Sequence, residues 1–288
     1  MGIPKRLKQL RGTQAAVDGI HFEMPVDTLS SRAFMAAFPI NAERAAALLP
    51  GKEMHPLKLW RHGLLVVTVV DYRKTDIGKY IEFSLAIACT RGLKPAPRLL
   101  PVLMRRTYGM GQYVVDLPVS TEVSVKGGKG IWGMPKHQAS LDFDDDGKTV
   151  TSQYDLDGRP AVRIDIARPE GRTFPLTAGA ANYCVFRGLL VKSHVHFIGK
   201  PLWALGGGAK ATLTVGDQPR VAWLKSLEAA SKPLFTVYYP DFCGVLDDYF
   251  ESWFLCEDGV PKNTGEDFSS VINLGQSQEW LPPPNRHS

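Results

Sequence analysis

The residue with the most chemical promise is Lys136, in the run Gly130-Ile131-Trp132-Gly133-Met134-Pro135-Lys136-His137. Trp, Met and Pro ahead of a lysine are apolar neighbours able to exclude water from its amine. A free lysine has a pKa of ~10.4, so only about 0.04% is a neutral nucleophile at pH 7. Desolvation disfavours the ammonium, and lowering the pKa by ~3 units, worth ~4 kcal/mol, makes the amine usable for a Schiff base. The plain alternative is an amine that snorkels to water, as most lysines beside apolar residues do.

A second candidate is Glu82. Residues 79–89 alternate, with Ile81, Phe83, Leu85 and Ile87 on one face and Tyr80, Glu82, Ser84, Ala86 and Ala88 on the other. A carboxylate on such a face usually meets solvent; the other possibility is the lumen of a barrel.

Other motifs carry less. Gly128-Lys129-Gly130-Ile131-Trp132-Gly133 spells GxGxxG after a strand-like stretch at residues 122–126. A dinucleotide site needs a helix to begin there, which Pro135 and the hairpin signals beyond it deny, so the glycines are read as a tight turn or a close backbone approach. His194-Val195-His196 puts two imidazoles on one strand face, but no third metal ligand follows from the spacing. Gly206-Gly207-Gly208-Ala209-Lys210 lacks the spacing of a phosphate loop, and no Gly-x-Ser-x-Gly elbow anchors a hydrolase triad.

Together, Trp132-Gly133-Met134-Pro135-Lys136 and the earlier Gly78-Lys79-Tyr80-Ile81-Glu82, leading into an apolar strand and Gly92, resemble the acetoacetate decarboxylase family. Residues 33–50, ending Ala47-Leu48-Leu49-Pro50, are similar to that family's early strand and short helix. The resemblance covers residues 30–165 and thins beyond to fragments such as Ala181-Asn182-Tyr183. It implies a large closed antiparallel β-barrel or cone with a few peripheral helices, a homo-oligomer, and a lyase whose lysine forms a Schiff base with a small keto acid.

Residue by residue, Lys136 matches the imine-forming lysine and Glu82 an acid lining the same pocket. His137 stands where the family has a second lysine; it is expected to serve as acid or base, and desolvation must then dominate the activation of Lys136. Arg32 approximates a family arginine and is expected to hold a substrate carboxylate, with Arg105 and Arg106 as further candidates. Trp132, Met134 and Tyr80 are expected to contact the substrate. A further family acid falls near Leu65 and is missing. The implied reaction is decarboxylation of a β-keto acid, or an aldol, dehydration or cyclisation step on an oxo acid. The residues alone also allow a barrel that merely binds a small apolar metabolite. None of these readings calls for a metal or an organic cofactor.

The elements that must position these groups are mostly strands. Residues 64–71 (LLVVTVVD) read as a strand covered on both faces, and residues 138–167 as a three-stranded meander turned at Asp146-Gly147 and Asp157-Gly158. Later strands are expected at 193–198, 209–215 and 234–239. Helices are expected at 42–49, capped by Asn41, at 220–230, and at 245–256. Residues 91–111 carry three prolines and five basic residues and read as a long surface loop. Strand–helix alternation is absent, which disfavours a parallel α/β sheet.

Composition agrees. The chain has 288 residues, 44% hydrophobic and 22% charged, with a net charge of +5, which points to a globular protein and away from a dedicated nucleic-acid binder. Cys89, Cys184, Cys243 and Cys256 form no CxxC pair and are read as free, small hydrophobes in a reducing compartment. No apolar run reaches the length of a membrane span, so the expected location is the cytosol. One domain over residues 1–288 is expected, with irregular ends at 1–14 and 259–288.

Overall fold

Runs of alternating residues close on themselves when both of their faces find cover, and here they do. The structure, a computed structural model, describes residues 13–257. It opens with the hairpin of β1 (Thr13–Val17) and β2 (Ile20–Met24). Next come β3 (Val26–Asn41), α1 (Ala42–Ala46), β4 (Met54–Pro56), β5 (His62–Thr75), β6 (Tyr80–Arg91) and α2 (Leu100–Leu103). Then follow β7 (Gly111–Val119), α3 (Glu122–Trp132), β8 (Lys136–Gln138), β9 (Ser140–Leu141), β10 (Asp144–Asp145), β11 (Thr149–Leu156) and β12 (Arg159–Ala167). The chain continues through β13 (Leu176–Phe186), β14 (Leu189–Gly199), β15 (Leu202–Leu205), β16 (Ala211–Val215), α4 (Ala222–Ser226) and β17 (Phe235–Phe254).

Strands β6, β5, β3, β17, β14, β13 and β7 pair in that order, and a β6–β7 pairing closes them into a seven-stranded barrel. The mainly β barrel expected from the sequence is therefore present. Its seams are antiparallel except for β7–β13, which runs parallel because a long crossover separates the two strands. A five-stranded sheet of β9, β10, β11, β12 and β16 covers one flank. Against it the barrel turns Phe34 and Phe38 from β3, Leu65, Val67 and Val69 from β5, and Phe83, Leu85 and Ile87 from β6. They meet Val150, Tyr154, Val162, Ile164 and Ile166 of the second sheet. Each such side chain stabilises the layer by about 1.5–3 kcal/mol. The alternate residues, among them Thr68, Val70, Tyr80, Glu82 and Ser84, face the lumen. That is why residues 64–71 are apolar on both sides.

Several expectations hold. The Asn41 side chain accepts hydrogen bonds from the amides of Glu43 and Arg44, capping α1, which is shorter than expected. The turns at Asp157-Gly158 and Gly147 have positive φ. The 220–230 stretch forms a 3-10 turn running into α4, with Val221, Leu224 and Leu227 buried. Between β6 and β7, residues 92–110 lie mostly on the surface and contain only the one-turn α2.

Others are corrected. Residues 245–256 are no helix; most of them form the second half of β17, which pairs with β14 as far as Phe254, while β3 reaches only to Leu246. Residues 122–126 are not a strand but the start of α3. Thr13 and Gln14 belong to β1, while residues 1–12 and 259–288 lie outside the described residues. Cys89 and Cys184 pack as small hydrophobes, and burial pushes the Cys184 thiol up to about 12, but Cys256 is exposed. No helix among the described residues is long and apolar enough to cross a membrane.

Candidate active site

Helix α3 places the lysine by where it stops. Gly133, at φ +65°, reverses the chain; its amide donates to the Lys129 carbonyl at 3.0 Å, and the Met134 amide to the Gly128 carbonyl at 3.0 Å. Pro135 then feeds β8, which runs parallel to the end of β7 with Lys136 opposite Leu117. On the other edge of β7, Val119 faces Glu82 of β6. Lys136 and Glu82 thus flank one strand from either side. The three helix glycines serve close approach: a Cβ on Gly127 would lie 2.8 Å from the Phe22 ring, one on Gly130 2.5 Å from Val17, and one on Gly128 2.7 Å from Cε of Lys136. The GxGxxG run is the end of a helix laid against its neighbours, not a phosphate-binding turn.

Lys136 is 4% exposed. Its Nζ lies 2.7 Å from Glu82 Oε2 and donates to Ser124 Oγ at 2.9 Å. The Tyr80 ring centroid is 5.4 Å away. Tyr80 stacks on Tyr72 with ring centroids 4.4 Å apart. Burial, reinforced by the Glu82 charge, pushes both phenols well above the usual tyrosine range, so they remain protonated donors at neutral pH. These groups border a lumenal cavity of about 170 Å³. Phe22, Trp132 and Met134 belong to one apolar cluster of its wall; Ala33, Val70, Phe197, Tyr239 and Phe242 form another.

A buried amine, a carboxylate in contact with it and a mostly apolar cavity are what imine chemistry needs. Residues 13–177 match the family model of acetoacetate decarboxylase (ADC). The chain belongs to the acetoacetate decarboxylase family. Its fold is shared with the acetoacetate decarboxylase of Legionella pneumophila, at a TM-score of 0.60 and 12% identity, over 80% of this chain and 87% of that one. The enduracididine biosynthesis enzyme MppR complexed with pyruvate aligns at a TM-score of 0.58 and 15% identity, over 79% and 90%. An acetoacetate decarboxylase-like enzyme of Sphingomonas wittichii RW1 gives 0.54 and 16%, over 80% and 94%. No curated protein sequence matches this one.

Of the residues that resemblance to the acetoacetate decarboxylase family nominated, Lys136, Glu82, Tyr80, Trp132 and Met134 come together at the cavity. His137 does not. Neighbours on a strand point to opposite faces, and the His137 ring leaves the lumen to meet Asp116 Oδ1 at 3.0 Å. Buried Asp116 also accepts from Arg220 Nε at 2.9 Å and the Tyr154 hydroxyl at 3.0 Å, so His137 belongs to a polar clamp behind β8. Arg32 is displaced for the same reason: Ala33 faces the lumen, and Arg32 pairs with Asp71 across the strands at 2.8 Å and lies over the Phe143 ring. Arg105 and Arg106 are exposed on the surface loop and do not line the cavity. His194 and His196 stack at 6.4 Å, and Glu251 lies 3.3 Å from His194 and 3.0 Å from Lys192. Sequence reasoning missed Tyr72, Ser124 and the reason for Gly128. Tyr72 was within reach, since a hairpin pairing β5 with β6 sets it opposite Tyr80.

Proposed function

We propose that the protein is a Schiff-base lyase that decarboxylates a β-keto acid at Lys136. The observation that carries this reading is the Lys136 amine, buried and 2.7 Å from the Glu82 carboxylate in an apolar chamber. Glu82 accepts a proton from the ammonium, and the freed amine attacks the substrate ketone. The resulting carbinolamine loses water with a proton returned from Glu82, which leaves a protonated imine. That imine draws in the electron pair of the C–CO₂⁻ bond as carbon dioxide departs. The enamine takes a proton at carbon, and water hydrolyses the imine to release the ketone and restore the amine.

A second reading keeps the imine and joins carbon atoms instead. It is favoured by one observation: the similarly folded MppR is complexed, in another structure, with the condensation product of pyruvate and imidazole 4-carboxaldehyde.

The test is incubation with acetoacetate, other β-keto acids and pyruvate in the presence of borohydride, followed by mass spectrometry. The expected result is a covalent increment on the peptide carrying Lys136, absent from Lys136→Ala, with carbon dioxide released from the β-keto acid. An adduct without carbon dioxide release favours condensation; no adduct with any oxo acid refutes the lyase.

A further inference from the structure

The loop between β6 and β7 holds hydrocarbon out into water. Leu93 and Leu103 are 98% and 81% exposed, and Leu99, Leu100, Val102 and Met104 are exposed beside them. Pro95, Pro97 and Pro101 deny the segment a strand or anything longer than the one turn of α2. On that turn Pro101 is buried, while Leu99, Leu100, Leu103 and Met104, spaced three and four apart, share the outward side. The loop is pinned at its neck. The Arg91 amide donates to the Tyr108 carbonyl at 3.1 Å, the Gly92 amide to the Glu53 carbonyl at 2.9 Å, and the Tyr183 hydroxyl to the Gly109 carbonyl at 2.8 Å. Contiguous apolar side chains held out in this way mark an interaction surface, as singly scattered ones do not.

The charge around this face says what it meets. Residues 83–115 contain no Asp or Glu. Lys94, Arg98, Arg105 and Arg106 are exposed among the apolar side chains, and none forms an ion pair among the described residues. Glu53, the acid at the neck, is buried and accepts from the Cys256 amide. The β4–β5 turn leaves the same end of β6, where the Leu57 amide donates to the Ala88 carbonyl at 2.8 Å. It adds Trp60, 67% exposed, with exposed Lys58 and Arg61 beside it. We propose that this end of the barrel docks on the surface of an anionic phospholipid bilayer. The leucines and Trp60 enter the boundary between headgroups and acyl chains, and the cations meet the lipid phosphates and carboxylates. A nucleic-acid backbone would satisfy the cations and leave the leucines in water. A second copy meeting the same face across a two-fold axis would set these cations against their own kind.

The experiment is co-sedimentation of the full chain with vesicles of phosphatidylcholine alone and of phosphatidylcholine mixed with phosphatidylserine. The parent is expected to pellet with the mixed vesicles and to be released as salt is raised. Arg105→Gln and Arg106→Gln should each lower the partition coefficient about fivefold, and Leu103→Ser about tenfold. Lys148→Gln, in the turn between β10 and β11, is the control for net charge and should partition as the parent does. All four substitutions are at exposed positions and should leave the thermal melt unmoved, so that lost pelleting is not lost folding. No pelleting with the mixed vesicles, the same pelleting with phosphatidylcholine alone, or an equal loss in Lys148→Gln overturns the assignment. So does a parent whose mass by light scattering falls on Leu103→Ser, because the face is then an interface between copies of the chain.

Discussion

Gly128→Ala puts the placement of the amine to its sharpest trial. An alanine Cβ would lie 2.7 Å from Cε of Lys136 and closer still to Cδ. Carbon atoms rest at about 3.5–4.0 Å, so the lysine stem must retreat by about 1 Å. Its Nζ, now 2.7 Å from Glu82 and 2.9 Å from Ser124, then passes beyond hydrogen-bond range of both. A misplacement of that size costs about 100-fold in rate. Stability changes little by comparison: alanine favours a helix over glycine by about 0.8–1.0 kcal/mol, against about 1–3 kcal/mol for overpacking. The assay is the rate of borohydride-trapped adduct with acetoacetate, beside a thermal melt. Gly130→Ala is the control, because its Cβ meets Val17 on β1 rather than the lysine. It should lower the melting temperature by a few degrees, at about 2–4 °C per kcal/mol, and leave trapping near the parent rate. Trapping at the parent rate in Gly128→Ala, or an equal loss in both variants, refutes the claim that α3 places the amine.

His137→Gln should leave the pH profile of adduct formation unmoved and cost about 1–2 kcal/mol in urea unfolding, since it removes one of the hydrogen bonds that hold Asp116; a displaced limb of the profile would return His137 to the chemistry. Tyr238→Phe tests acid stability. Burial alone would raise the Asp145 carboxyl, but the Tyr238 hydroxyl, the Gly147 amide and the Arg168 and Arg32 guanidiniums outweigh it and hold the group below the usual aspartate range. A carboxyl depressed in the folded state stabilises above its unfolded pKa of ~3.9, and that stability is lost as the pH falls through the folded value. Urea midpoints of parent and variant should therefore differ most at pH 7 and converge at pH 3. A gap of the same size at both pH values contradicts the assignment.

How much of this was legible in the sequence depends on whether the deciding interaction is local. The alternation of residues 79–89 separates Glu82, Tyr80 and Ser84 from Phe83, Leu85 and Ile87 without help, and the structure keeps that division. The same rule, applied at Lys136-His137 and at Arg32-Ala33, would have parted each pair; alignment to a family motif kept His137 and Arg32 in the site, and the strand geometry overruled it. Helix α3 was hidden for a different reason. Four glycines in seven residues, Gly127 to Gly133 with Gly128 and Gly130 between, argue locally against a helix. What favours it is the closeness of Phe22, Val17 and Lys136, a tertiary fact. Pairing with β14 likewise decides the far half of β17.

The two cases join at the amine. A side chain at position 128 would press on the stem of Lys136 and hold its amine short of Glu82. The glycine at 128, which weakens α3 in isolation, is therefore the condition for a dry lysine. Any sequence that keeps Lys136 and Glu82 but fills position 128 should retain the barrel and lose the chemistry.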